Sequence, residues 1–147
     1  MAYAATQKFE ELILDIEWTS GSGIYEAVCG LVDITISRTA NIDTAEVPEC
    51  SDESLPMQIE RQVRSLELSI SASGVWAQTS HSKLLTWWRS GATKNIRVRN
   101  TAVGSGEIEI ESGAALLASL NNTRTKGQKV TAEIEIQMDG VGTTTNK

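Results

Sequence analysis

Two short ladders near the C-terminal end limit what this chain can fold into. One is Glu107-Ile108-Glu109-Ile110-Glu111 and the other is Ala132-Glu133-Ile134-Glu135-Ile136-Gln137-Met138. Both alternate polar and apolar residues with a period of two. Each is therefore expected as a strand with one wet and one dry face. Carboxylates would stack on the exposed side. The chain reads as a β-structured building block with a strongly acidic face.

The same period recurs along the chain. Leu12, Leu14 and Ile16 alternate with Ile13, Asp15 and Glu17, and Val32, Ile34 and Ile36 with Asp33, Thr35 and Ser37. Leu66, Leu68 and Ile70 alternate with Glu67, Ser69 and Ser71, and the run continues toward Trp76 as either a long strand or a strand with a bend at Gly74. Ile96 and Val98 alternate with Arg97 and Arg99. Only once does the period change. His81, Leu84, Leu85 and Trp88 fall at helical spacing, with Thr79, Ser80 and Ser82 as capping candidates and Gly91 as the stop, which predicts one helix from Ser80 to Ser90. Leu116, Leu117 and Leu120 mark a further packed segment between Ser112 and Gln128, before the last ladder. The pattern gives seven or eight strands, most with one polar face, and one helix. That is a mainly β fold, an antiparallel two-sheet sandwich or flattened barrel with a flanking α-helix.

At 147 residues the chain is one domain with room for a core. Residues 1–11 carry little core material and are expected as a mobile arm, 12–140 as the β domain, and 141–147 as a flexible tail rich in Gly and Thr. From Thr39 to Gln62 the alternation fails, and an extended loop over 39–62, or a hairpin arm, is expected. Its sparse apolar residues, Ile42, Val47, Leu55, Met57 and Ile59, suit fastening to a neighbour rather than a core of their own. No apolar run approaches the roughly 18–20 residues needed to span a bilayer. The first residues lack a basic start followed by an apolar stretch, so no secretory signal is expected, and first use in a cytoplasm is.

Charge is segregated. Residues 1–60 hold twelve acids against Lys8 and Arg38, while Leu68 to Gly106 holds no acid but does hold Lys83, Arg89, Lys94, Arg97 and Arg99. Arg124, Lys126 and Lys129 form a second basic cluster. Such patches can meet between copies, or pair within one subunit across neighbouring strands. The sequence pI of about 4.8 and the lack of a basic stripe with interleaved aromatics disfavour nucleic-acid recognition.

Chemistry is hard to place on this sequence. His81 is the single histidine, and its neighbours Ser80 and Ser82 do not make a nucleophile–base pair. Cys29 and Cys50 match neither zinc nor C-x-x-C spacing and read as packed or idle thiols. No glycine-rich loop leads into a helix. The carboxylate ladders lack the aromatics that hold sugar in a glycosidase, and no loop carries a spaced calcium pattern. The expectation is a non-enzyme without metal or cofactor. Of the four tryptophans, Trp87 and Trp88 could serve a stand-alone β-sandwich module that binds carbohydrate or protein, though core or interface positions account for them more simply.

The order of elements, with Ser112-Gly113-Ala114-Ala115-Leu116-Leu117-Ala118-Ser119-Leu120, Lys126-Gly127-Gln128-Lys129-Val130 and a closing Met138-Asp139-Gly140, resembles the major tail tube proteins of tailed, siphovirus-like phages and of related prophage and gene-transfer-agent elements. The likeness spans residues 12–140 and is one of layout rather than a signature motif. The resemblance implies two packed sheets with a flanking helix, and hexameric rings stacked into a hollow tube for DNA ejection. It also implies tape-measure, terminator and distal tail proteins as partners, with no membrane partner. The site would be the virion tail, after assembly in the host cytoplasm. Under it, Glu107, Glu109, Glu111, Glu133 and Glu135 are candidates to line the lumen and repel DNA phosphates, or alternatively to lie on subunit contacts. Asp43, Glu46, Glu49, Asp52 and Glu53 would belong to an inter-subunit arm. Lys83, Arg89, Lys94, Arg97 and Arg99 would be its receiving patch. The tube of a secretion apparatus shares this layout.

Overall fold

The computed structural model describes residues 2–147. Alternation is realised as strands β1 (Leu12–Ile16), β2 (Glu26–Ala27), β3 (Leu31–Val47), β4 (Gln58–Val75), β5 (Lys94–Asn100), β6 (Ile108–Thr123), β7 (Thr131–Met138) and β8 (Thr143–Asn146), with the helix α1 (Gln78–Ser90) between β4 and β5. They form one antiparallel, unclosed sheet in the order β2-β1-β5-β6-β7-β4-β3, and β8 also pairs with β6.

The long strand β6 makes this single sheet into two layers. Its first half pairs with β5 through Lys94↔Ala115 to Arg99↔Ile110, and its second half pairs with β7 from Ala115↔Met138 to Thr123↔Thr131. A register shift between Leu117 and Ser119 marks the change. The first layer is β2-β1-β5-β6-β8 and the second is β6-β7-β4-β3. Leu14, Ile16, Ile96 and Val98 from the first layer join Ile70, Ala72, Ile134 and Ile136 from the second in one core. α1 closes the core by burying Leu84 and Trp87 in it, and Gly91, at φ 63°, ends the helix as expected. The helix begins two residues earlier than expected, with Ala77 at its N-cap and none of the serine or threonine candidates in that role.

Three expectations are refined. Thr39 to Gln62 is a hairpin rather than a loop: β3 and β4 pair without a break from Ser37↔Ser69 out to Val47↔Gln58, apart from a bulge at Arg64. β7 reaches only to Ser69, so the ribbon beyond it has no further strand beside it. Alternation is obscured there because both faces meet solvent; from Arg61 to Glu67 every residue is exposed. The polar tail also differs. Thr143–Asn146 is β8, held by backbone pairing and β-branched threonines rather than apolar burial, a signal hydrophobic periodicity misses. Gly142, at φ 68°, lies against the Ser112 carbonyl, and Gly113 lies beside it, so the bend into β8 has no room for a side chain. Finally, the segment after Ser112 is not separate but continues β6 to Thr123. At the other end, residues 2–8 are exposed and without regular structure, and Phe9–Glu11 is a single 3₁₀ turn.

Candidate functional site

The candidate site is the outer face of the second layer. Paired residues of antiparallel strands share a face, so the register writes this surface row by row. Asp33, Ser73, Glu133 and Asn121 form one row, and Thr35, Ser71, Glu135 and Ser119 the next. Ser37, Ser69 and Gln137 follow, and then Thr39 with Glu67. On the projecting ribbon the same face carries Asn41 with Ser65, Asp43 with Gln62, and Ala45 with Glu60. The result is a carpet of short hydroxyl and amide side chains with carboxylates of one sign. Arg64, at the bulge, pairs with Asp43 at 3.6 Å and is the one cation ion-paired on it among the described residues. A shallow hollow of about 350 Å³ over Glu133, Glu135, Asp33 and Ser71 is open and polar, with no convergent catalytic geometry.

The two ladders do not form one lining. Val98 is buried and pairs directly with Glu111, so Glu111 points toward the space between the layers, and Glu109, at a register shift between Ile108 and Ile110, lines the same hollow with Ile36 and Val98. Ile110, opposite Arg99, is the residue turned outward. The wet and dry faces of this ladder are thus reversed from the periodic expectation. Inward carboxylates are tolerated because they sit at the open mouth of the sandwich, and Glu111 takes Arg38 of β3 as a bidentate partner across it. Glu107 precedes β6 and accepts from the Gly104 amide at 3.1 Å. Glu133 and Glu135 do lie on the acidic outer face.

The expected receiving patch is mostly engaged within the chain. Arg97 and Arg99 each donate Nε–H to Asp15 Oδ2, at 2.9 and 2.7 Å, and Asp15 is only 2% exposed. Arg97 also stacks 4.4 Å from the Tyr25 ring centroid. Lys94 Nζ donates to the Trp18 carbonyl at 2.8 Å and Lys83 pairs with Glu26 at 2.9 Å. Arg89 alone of the five has neither a hydrogen bond nor an ion pair among the described residues. Pairing across neighbouring strands therefore accounts for Arg97 and Arg99, because Asp15 stands directly opposite Arg97. One group the sequence reading missed is Glu17, which is 4% exposed. It accepts from the Gly21 and Gly23 amides and from Asn95, and so ties down the loop after β1. Its signal was the Gly-Ser-Gly run a few residues downstream, where free amides need an acceptor.

The arm acids sit at the hairpin end. Glu49 accepts from the Ser51 amide and hydroxyl, and Asp52 from those of Ser54. These bonds, the hydroxyl first, hold both carboxyls below their ordinary pKa. The opposite face of the ribbon carries uncovered apolar residues among a few polar ones: Ile42 pairs with Val63, Ala40 with Leu66, Thr44 with Arg61 and Ile59 with Glu46, with Ile42, Ile59, Val63 and Leu66 all more than half exposed.

The tryptophan pair does not make a ligand platform. Trp87 is buried and donates to the Ala92 carbonyl at 2.9 Å, and only Trp88 is exposed. Cys29 and Cys50 are free and exposed. His81 accepts a bond from Trp76 Nε1 at 2.9 Å, which is a structural role. No helix among the described residues is long and apolar enough to cross a membrane.

Residues 6–144 match the family model described as phage tail tube protein. No curated protein is similar to the chain. Among solved structures, the tail of an empty gene transfer agent particle, refined with helical C6 symmetry, is similar at a TM-score of 0.75 and 18% identity, covering 95% of this chain and 99% of the other. The SPP1 tail tube is similar at 0.70 and 9% identity, covering 97% and 80%. The anti-feeding prophage cap, which terminates a tube, is similar at 0.62 and 16% identity, covering 100% and 95%. At these identities the structural likeness concerns the fold.

Proposed function

The chain belongs to the phage tail tube protein family, and from that premise we propose that it is a structural, non-enzymatic subunit of a homo-oligomeric tube. The acidic outer face of the second layer, centred on Glu133 and Glu135, would line its lumen. One observation carries this reading. The second layer pairs a one-signed hydroxyl-and-carboxylate face with two open edges, the outer edge of β3 and the stretch of β6 beyond Ala115 that β5 does not reach. Open edges on opposite sides of one layer allow unlike edges of neighbouring copies to meet, and such heterologous contacts close into rings when the rotation closes. A ring of these layers would present carboxylates inward, and DNA phosphates would slide past without counterion-releasing contacts.

Six copies per ring would match the sixfold symmetry of the similar gene transfer agent tail, which supports this number without fixing it for this chain. The ribbon of β3 and β4 serves as the inter-subunit arm, with its apolar face on a neighbour. The site of action is the virion tail, after assembly in the host cytoplasm, and tape-measure and terminator proteins are its expected partners. Electron microscopy of the purified full chain tests the reading: rings or hollow tubes of constant diameter are expected. A strict monomer at high concentration would overturn it.

A further inference from the structure

If the chain builds a tube, its rings need a contact along the tube axis, and the strand directions show where the molecule carries complementary ends. β4 begins at the hairpin end and finishes at Val75, which pairs with Thr131 at the start of β7; Thr131 in turn pairs with Thr123 at the end of β6. The β6–β7 turn, residues 124–130, therefore lies at the end of the layer opposite the hairpin tip. At about 3.3 Å per residue, the length of β4 separates these ends by roughly 60 Å. The tip carries Glu49, Asp52 and Glu53, and the turn carries Arg124, Lys126 and Lys129 with no acid anywhere from Ser112 to Ala132. None of these six takes part in an ion pair among the described residues. Apolar residues accompany the charge at both ends. Leu55 and Met57 are 51% and 53% exposed at the tip, and Val75, opposite Thr131, is 46% exposed beside the turn.

We infer that the acidic hairpin tip of one copy seats on the basic β6–β7 turn of a second copy, with Leu55 and Met57 against Val75. The patch from Lys83 to Arg99 is the poorer receiver, because all of its cations but Arg89 are held by Asp15, Glu26 and the Trp18 carbonyl. The contact is head-to-tail and runs along the strands, so it joins ring to ring rather than neighbours within a ring. At the tip, one oxygen of Glu49 and one of Asp52 already accept from serine, which fixes the carboxylates and leaves the second oxygen of each to a cation of the next copy.

Charge reversal in the full chain tests this. Wild type, a tip variant (Glu49→Lys, Asp52→Lys, Glu53→Lys), a turn variant (Arg124→Glu, Lys126→Glu, Lys129→Glu) and the chain carrying all six changes are compared by pelleting and negative-stain microscopy. Each single-end reversal is expected to lower the tube fraction about tenfold or more while rings persist, and the six-fold change is expected to restore tubes, because the reversed ends again match. Normal tubes from either single-end variant, or no recovery in the combined one, overturn the contact. Wild type that forms neither rings nor tubes overturns instead the tube reading on which the contact rests.

Discussion

Asp15 sits almost fully buried between two guanidinium groups on the strand beside it. Burying a carboxylate costs free energy that only close, well-directed donors offset. Asp15→Ala should therefore destabilise the fold by about 2–3 kcal/mol, the size of hydrogen bonds to charged groups, and Asp15→Asn by less, both read from urea unfolding. The hairpin tip makes a second prediction at this scale. Folding lowers the pKa of Glu49 and Asp52 through their serine partners. Their contribution is in place above the ordinary carboxylate value of about 4 and is lost as pH falls through the lower folded values. NMR titration should find the Glu49 midpoint depressed in wild type and moved back up in Ser51→Ala, with Asp52 unchanged. An unmoved Glu49 would remove the serine as the cause.

Among the elements, the hairpin is the one whose loss should hurt assembly without hurting the fold. Its outer residues are exposed on both faces, so they add little to the core. Deleting residues 43–55 should shift the thermal midpoint by no more than about 4 °C, the scale of a 1 kcal/mol change, while microscopy shows no tubes. β8 is the opposite case, held by backbone geometry. Gly142→Ala would press a Cβ against the Ser112 carbonyl at a positive φ. Hydrogen exchange should then lose protection at the Thr143–Asn146 pairing, at a cost of about 1–3 kcal/mol. These two elements also mark what could be read from sequence. β1, β5 and β7 and the helix were legible because burial on one face imposes a period. The hairpin was legible only as an arm, loop or hairpin left open, because a strand wet on both faces leaves no apolar rhythm, and β8 was not, because it holds on through amides and threonines. The Glu107 ladder shows a subtler limit: alternation reveals that two faces exist, and only the partner strand, with Val98 opposite Glu111, decides which one turns inward.

For the whole molecule, the two acidic ladders should now behave differently. Glu133→Lys with Glu135→Lys puts cations on the face proposed for the lumen. Particles should form, and DNA delivery should fall by at least about tenfold as phosphates are held. Ejection assays at wild-type rate would move the lumen to another face. Glu111→Lys, by contrast, breaks the Arg38 bridge between the layers, and its effect should appear in unfolding rather than in delivery. The acids with the functional reading thus came from the sequence only in part. Their neighbours on the carpet, Asp33, Glu67 and Glu60, were hidden because residues far apart in the chain become one surface only through strand register.

The opposed hairpin tip and β6–β7 turn have a consequence beyond the subunit. If that contact holds, a stack of identical pieces with a negative nose and a positive heel is an arrow: one mouth of the finished conduit would show bare carboxylates and the other bare ammonium and guanidinium groups. Whatever plugs the first mouth would then need cations, and whatever starts or stops growth at the second would need acids, so a single stopper would not fit both.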